Sequence, residues 1–298
     1  MRLLLAVALL VCCIAVVHGQ KEKASKFLKK FNADALVERK KQYDAGWAYM
    51  TDQTKENTQK YAKAESAHAE WMSSQKEEAK KINLEGLDPS EARQIKLLLI
   101  DTPSSTDKAK NDERHTLIAE LKAIHGNGKF PMNSTFIHTL DTQKLLSEKI
   151  TEIGARPYGD DIMEKSTDPL ELLYVWEQNR KATGDKMPEK YVRMVELQNE
   201  AAQEEGYSDM GDYYRKGKYE VDNLAEVAEQ LWKELEPLYK EVHAYVRFKL
   251  SKRYPNLVKD GKLIPAHLSG DMSGMWQGDV FHRIKPYSKS CTFRIKTA

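Results

Sequence analysis

The stretch LAEVAEQLWKELEPLYKEVHAYVRFKL, residues 224–250, decides the fold class. Leu224, Val227, Ala228, Leu231, Leu235, Leu238, Val242, Tyr245, Val246 and Leu250 recur every three or four residues. At that spacing the side chains of an α-helix share one face. The pattern predicts one long amphipathic helix whose stripe packs on a core. Asp222 or Asn223 is placed to cap its start by accepting a hydrogen bond from a free backbone N–H. Pro237 removes a backbone donor inside the pattern and predicts a kink there. Pro255 marks the exit.

The rest of the chain reads the same way. Residues 21–83 are rich in Lys, Glu, Ala and Gln, with no proline and only Gly46, a composition that favours helix. Phe27, Phe31, Leu36, Tyr43, Trp47, Tyr61 and Trp71 make a thin apolar stripe on wide polar faces. Two or three long helices lying over something larger fit that pattern. No heptad is sustained, which excludes a coiled coil. Asp88-Pro89 opens a helix to Ile100, and a break follows at Thr102-Pro103-Ser104-Ser105. Further helices are expected from Asp107 to Ile124, Pro169 to Lys181 and Pro188 to Glu205. Lys129 to Thr142 reads as a loop with a short strand. The fold class is therefore all-α, and no repeat of 20 to 50 residues suggests a solenoid.

Several function classes are excluded by the same residues. The net charge is only +2, and Lys and Arg are interleaved with Glu, so a nucleic-acid surface is not expected. There is no G-x-S-x-G elbow and no phosphate-cradling glycine loop. The eight histidines never stand three to five residues apart. A helical H-E-x-x-H zinc motif, which sets two imidazoles on one face with a general-base glutamate between them, is thus absent. Asp160-Asp161 and Glu204-Glu205 read as solvated acidic pairs.

Arg2 followed by the apolar run Leu3–Val17 and by His18-Gly19-Gln20 reads as a cleaved signal peptide over residues 1–19. The run is short for a membrane span, and no second span follows. A secreted, extracellular chain is expected. The sequon Asn133-Ser134-Thr135 fits that route, with Asn133 as the acceptor. Cys12 and Cys13 leave with the signal, so Cys291 is a leftover thiol whose pairing is open.

Several blocks resemble the angiotensin-converting-enzyme family. Leu172-Leu173-Tyr174-Val175-Trp176-Glu177, with Arg180 and Gly184, is similar to the family's leucine-leucine-x-x-Trp-Glu-x-Trp-Arg helix. Gly206-Tyr207-Ser208-Asp209-Met210-Gly211-Asp212-Tyr213-Tyr214-Arg215 resembles its Gly-Tyr/Phe-x-Asp-x-Gly-x-Tyr-Trp-Arg segment. Leu235-Glu236-Pro237-Leu238-Tyr239, His243-Ala244-Tyr245-Val246-Arg247, Ile264-Pro265-Ala266-His267-Leu268 and Gly270-Asp271-Met272 follow in family order, and Trp47-Ala48-Tyr49 matches near the start. The resemblance runs from about Ala24 to about Phe281. It implies an almost all-helical, two-lobed fold around a cleft, with a lid of N-terminal helices.

It also implies a zinc peptidyl-dipeptidase that removes C-terminal dipeptides from peptide substrates and is modulated by chloride. The H-E-x-x-H helix, the third zinc ligand, the substrate-aligning strand and the oxyanion donors of the family should all lie beyond residue 298. The chain as written is therefore expected to bind no zinc and to be catalytically inactive. A non-catalytic secreted binding protein is the alternative. Arg180 matches the arginine of the first chloride site, without its two partners. Tyr219 resembles the second-chloride tyrosine if one inserted residue is accepted between Arg215 and Tyr219. Ser273 and Met275 fall where the family holds Trp-x-Gln/Arg, whose polar residue meets the substrate carboxylate. The expected organisation is a signal at 1–19, a truncated peptidase domain at 20–281 and a divergent tail at 282–298, where Phe293-Arg294-Ile295-Lys296 resembles a segment just upstream of the family's zinc helix.

Overall fold

The computed structural model describes residues 2–100, 102–217, 219, 221, 223–273, 275 and 280–286. Nearly all regular structure in these residues is helical, so the all-α expectation holds. The chain divides into two compact units, residues 1–123 with 189–227, and residues 124–188 with 228–298.

The first unit begins with helix α1, Arg2–Thr51, which runs through the apolar segment without a break. Helix α2, Lys55–Lys80, starts where the Thr54 side chain accepts from Asn57 N–H at 3.2 Å. Helix α3, Pro89–Leu99, has Asp88 accepting from Ser90 N–H at 2.9 Å, and proline at its first position, where a missing donor costs nothing. Of the thin stripe read from the sequence, Phe27, Phe31 and Trp71 pack against the core of this layer, whereas Leu36, Tyr43 and Trp47 are exposed. Ala24, Leu28, Met72, Ala79, Ile82, Ile95 and Leu98 are buried together. Phe31 stacks on Trp71 with ring centroids 5.5 Å apart, and on Phe27 at 6.1 Å.

Helix α4, Lys108–Asn127, faces helix α8, Pro188–Glu204, through charge rather than oil. Lys110 meets Glu200 at 2.7 Å, and Lys190 meets Glu120 at 2.6 Å. Arg193 grips Glu113 with Nε and Nη2 at 2.8 and 2.9 Å. Solvent screens exposed pairs of this kind, so each adds little to stability. Helix α9, Met210–Lys216, is capped by Asp209 and buries Met210 and Tyr213 against Ala202.

Glu204 and Glu205 are not merely solvated, as the sequence suggested. Glu204 accepts from Ser105 Oγ and Thr106 N–H, both at 2.6 Å, and Glu205 accepts from Lys76 Nζ at 2.6 Å and Ser104 N–H at 3.3 Å. They fasten the break after α3 to the end of α8. Their partners lie about a hundred residues away, so local sequence could not reveal them.

The second unit gathers a larger core. Strands β1, Lys129–Pro131, and β2, Glu152–Gly154, pair antiparallel with Phe130 opposite Ile153. Both side chains are buried with Ile137, Leu145, Ile162, Met163, Leu172, Val175, Val246, Leu250 and Leu268. Short helices α5, Thr142–Ser147, and α6, Asp160–Lys165, went unrecognised in the sequence; each is only six residues long and shows no full period. Helix α7, Pro169–Ala182, is capped by Asp168, which accepts from Leu170 N–H at 2.8 Å. Gly128 is buried where an added Cβ would lie 2.2 Å from Thr183 Cγ2. Gly128→Ala is expected to lower stability by about 1–3 kcal/mol, the usual cost of overpacking, read as a reduced thermal midpoint.

Helix α10, Leu224–Arg253, spans the deciding stretch, with Pro237 inside it. Its periodicity is as read, but its burial is not. Of the ten stripe residues only Val246 and Leu250 are buried. Leu235 is 53% exposed and Leu238 62%, and Val227, Leu231, Val242 and Tyr245 are exposed as well. Among the described residues of the second unit, nothing buries that length of helix. At its start Asn223 donates to Glu226 Oε2 at 3.4 Å instead of accepting, and Asp222 lies outside the described residues. Helix α11, Phe281–Ile284, carries the first residues of the segment set apart as a tail. Arg283 there is buried and donates to the carbonyls of Met163 at 2.7 Å and Ser166 at 3.1 Å. Cys291 and the Phe293–Lys296 segment lie outside the described residues.

Candidate functional site

Chemistry-bearing side chains of the second unit cluster on α7 and the segment from Ile264 to Met275. Glu171 sits one turn into α7 and is fully buried, at 0% exposure. A carboxylate survives there only if its oxygens are satisfied. Oε1 accepts from the N–H groups of His138 and Thr139 at 2.9 and 2.8 Å. Oε2 accepts from Thr139 Oγ1 and Ser166 Oγ, both at 2.7 Å. His138 Nε2 lies 3.3 Å from Glu171 Oε2 and from Asp168 Oδ2. With four hydrogen bonds already accepted, Glu171 holds the loop before α5 and the start of α7 together, and has no lone pairs aimed at a ligand.

Arg180 lies two turns further along α7. Its guanidinium stacks over the Trp176 ring, 3.5 Å from the centroid. Nη1 donates to Trp176 O at 3.1 Å and Nη2 to Met272 O at 2.8 Å. Burial pushes the guanidinium below its ordinary pKa. The structure thus brings together Trp176, Arg180 and Met272, from two blocks ninety residues apart in sequence. The Trp176 indole Nε1 beside them is buried and has no hydrogen-bond partner. Nothing in the sequence marked that indole as unsatisfied.

Asp271 explains the backbone after Gly270. Its Oδ1 accepts from Ser273 N–H at 2.8 Å and Met275 N–H at 2.9 Å, folding the segment into a tight turn. Met275 is exposed at the end of that turn. His267 is buried, and burial lowers its imidazole pKa, with Glu177 acting in the opposite sense. Tyr219, in the first unit, is 58% exposed on the turn after α9. Asn133 begins a surface loop after β1; its Oδ1 accepts from Thr135 N–H at 2.9 Å, and Ser134 and Thr135 are exposed.

The donor set of the described residues does not fit zinc. Among the described residues no three His, Cys, Asp or Glu side chains converge as a metal site. His138 with Asp168 and Glu171 comes nearest in composition, and Glu171 is spent on the four donors described above. From residue 19 on, no described helix is long and apolar enough to cross a membrane.

Comparison with known proteins agrees with the ordered blocks. The family model for angiotensin-converting enzyme, peptidase family M2, matches residues 18–298. The angiotensin-converting enzyme of Theromyzon tessulatum is 31% identical over 281 residues, covering 91% of this chain and 43% of that protein. The angiotensin-converting enzyme-like protein Ace3 of Mus musculus is 30% identical over 267 residues, covering 89% of this chain and 34% of its own length. The angiotensin-converting enzyme of Bos taurus is 28% identical over 273 residues, 89% of this chain and 20% of its own. The chain spans less than half the length of each of these relatives. An all-helical fold, blocks in family order and a family model covering nearly every residue lead to one conclusion: this chain belongs to the angiotensin-converting enzyme family, a lineage of metallopeptidases.

Proposed function

We propose that these 298 residues form the amino-terminal portion of a secreted peptidyl-dipeptidase fold and do not by themselves cleave peptides. The observation that carries the reading is the bare apolar stripe of α10. A monomeric protein rarely leaves so long a helix face dry-sided and uncovered, and such patches mark interaction surfaces. In the family a further half of the fold is available to cover it. Residues 1–19 are the signal peptide in this reading, residues 20–281 the partial peptidase domain and residues 282–298 the divergent tail. Helices α1 and α2 belong to the lid. Asn133 is the glycan acceptor, as the exposed Ser134-Thr135 permits.

The family's peptide substrates and its dipeptide-releasing reaction come to this chain only through what would complete it. Arg180 is carried over as an anion ligand of the first chloride site; the unpartnered Trp176 N–H beside it is compatible with a chloride there. Tyr219, exposed on its turn, is the corresponding carry-over for the second. The alternative, a non-catalytic secreted binding protein, is favoured by one feature, a polar cavity in the first unit.

The test addresses the stripe. The purified chain is expected to bind an apolar dye and to self-associate at micromolar concentration. Leu235→Lys with Leu238→Lys should abolish both while changing unfolding stability by no more than about 0.5 kcal/mol, as expected at exposed sites. A wild-type chain that stays monomeric and binds no dye would count against the partial-fold reading.

A further inference from the structure

The first unit encloses a cavity of about 260 Å³ lined by Glu65, His68, Lys76, Arg114, His115 and Glu205 among others. Arg180 and Glu171 belong to the second unit. Arg114 reaches it from α4 and is only 4% exposed. Its Nη1 donates to Pro103 O at 2.7 Å, and its Nη2 lies 3.3 Å from His115 Nε2. The Nε–H is buried and has no hydrogen-bond partner. His68 Nδ1, in the same lining, is also buried and unpartnered. Groups of this kind are rare in folded proteins and call for an explanation.

Among the described residues no carboxylate is bonded to Arg114. Glu205 is occupied by Lys76 at 2.6 Å and by Ser104 N–H at 3.3 Å. Glu65 accepts from Gln42 Nε2 at 2.9 Å. His115 is held neutral, its pKa depressed to about 4 by burial and then by the Arg114 charge, with Lys122 and His68 adding to the effect and Asp112 opposing it. A neutral imidazole accepts from Arg114 and cannot balance it. The cavity therefore presents a desolvated cation with a spare donor edge.

We propose that this cavity binds a carboxylate, seated on Arg114 Nε–H with His68 as a second donor. Two separate donors, Arg114 Nε–H and His68, match the two oxygens of a carboxylate better than a spherical ion. Glu65 and Glu205 in the wall repel a second negative charge, which disfavours a phosphate dianion. The volume falls below that of drug-sized pockets, so the ligand is a small acid or the end of a peptide chain.

The test is a titration of the whole chain with sodium acetate against sodium chloride at equal ionic strength, following the imidazole signals of His68 and His115. Saturable shifts with acetate, and responses to chloride at least about tenfold weaker, are expected from the two-donor geometry. Arg114→Gln should remove the acetate response. Glu65→Gln, at a half-buried position that tolerates the amide, should tighten acetate about threefold by deleting a like charge. Equal responses to chloride and acetate overturn the assignment, as do acetate shifts that persist in the Arg114→Gln protein. If that variant does not fold, Glu65→Gln decides, and unchanged or weaker binding overturns the proposal. N-acetylalanylalanine and its C-terminal amide distinguish the sources. Tighter binding of the peptide acid than of acetate, with a silent amide, identifies a peptide terminus. Equal affinity of the two acids identifies free small carboxylates, and equal binding of acid and amide refutes a carboxylate site.

Discussion

Incubated with zinc and a blocked tripeptide, the purified chain is expected to release dipeptide at least about a millionfold more slowly than a complete zinc peptidase, the scale lost when a catalytic unit is removed as a whole. Zinc hydrolysis needs a metal held by three protein ligands with an open position for water, and a base beside it. The eight histidines of this chain offer no pair on one helical turn. The described residues bring no three ligands together, and the buried glutamate nearest a histidine is consumed by four hydrogen bonds. Chromatography of the released dipeptide and elemental zinc analysis of the dialysed protein measure both halves of the expectation. Chelator-sensitive turnover with stoichiometric zinc would show that ligands outside the described residues complete a site.

The second large effect concerns Glu171. Glu171→Ala strands the N–H groups of His138 and Thr139 and two hydroxyls in the core of the second unit. Breaking a buried charged network by removing one member costs about 3–5 kcal/mol. Glu171→Gln keeps the volume and one oxygen, but turns an amide NH₂ toward donors, so a smaller loss of about 1–3 kcal/mol is expected. Denaturant titration reads both. A loss under about 1 kcal/mol for the alanine variant, the net worth of one ordinary hydrogen bond, would mean that water or a rearranged loop takes the place of the carboxylate, and that Glu171 does not close this unit.

Much of this architecture was legible from the residues. The stripe of residues 224–250, the proline-started helices after Asp88 and Asp168, and the run from Pro188 to Glu205 all gave helices where helices are found, whereas the helix Met210–Lys216 was not read. Their spacing and caps are local signals, and local signals survive without tertiary context. What failed depended on distant partners. The stripe of α10 reads as core because its period is that of a buried face, yet periodicity cannot say whether the covering element is present. Glu204 and Glu205 read as solvated because their partners in residues 76 and 104–106 lie far back in the chain.

The candidate sites divided along the same line. Arg180 was found by a motif, whereas the use of its Nη2 was fixed by a turn ninety residues later. Arg114, His68 and Glu171 carried no motif at all. Their distinction is burial with too few or exactly enough partners, a property of packing that no window of sequence contains. Tyr219 was reached through an alignment with one inserted residue, and it lies 58% exposed on its turn.

The split of the first unit has a consequence for the order of synthesis. Its first segment ends at residue 123, and its second begins only at residue 189. On the ribosome α4 therefore emerges with Lys110, Glu113 and Glu120 unmatched, and waits until Glu200, Arg193 and Lys190 have been made. The fastening of residues 104–106 must wait longer still, for Glu204 and Glu205. A nascent chain arrested at Pro188 should be cut readily by protease near Pro103, and one arrested beyond the exit of Glu205 from the tunnel should resist.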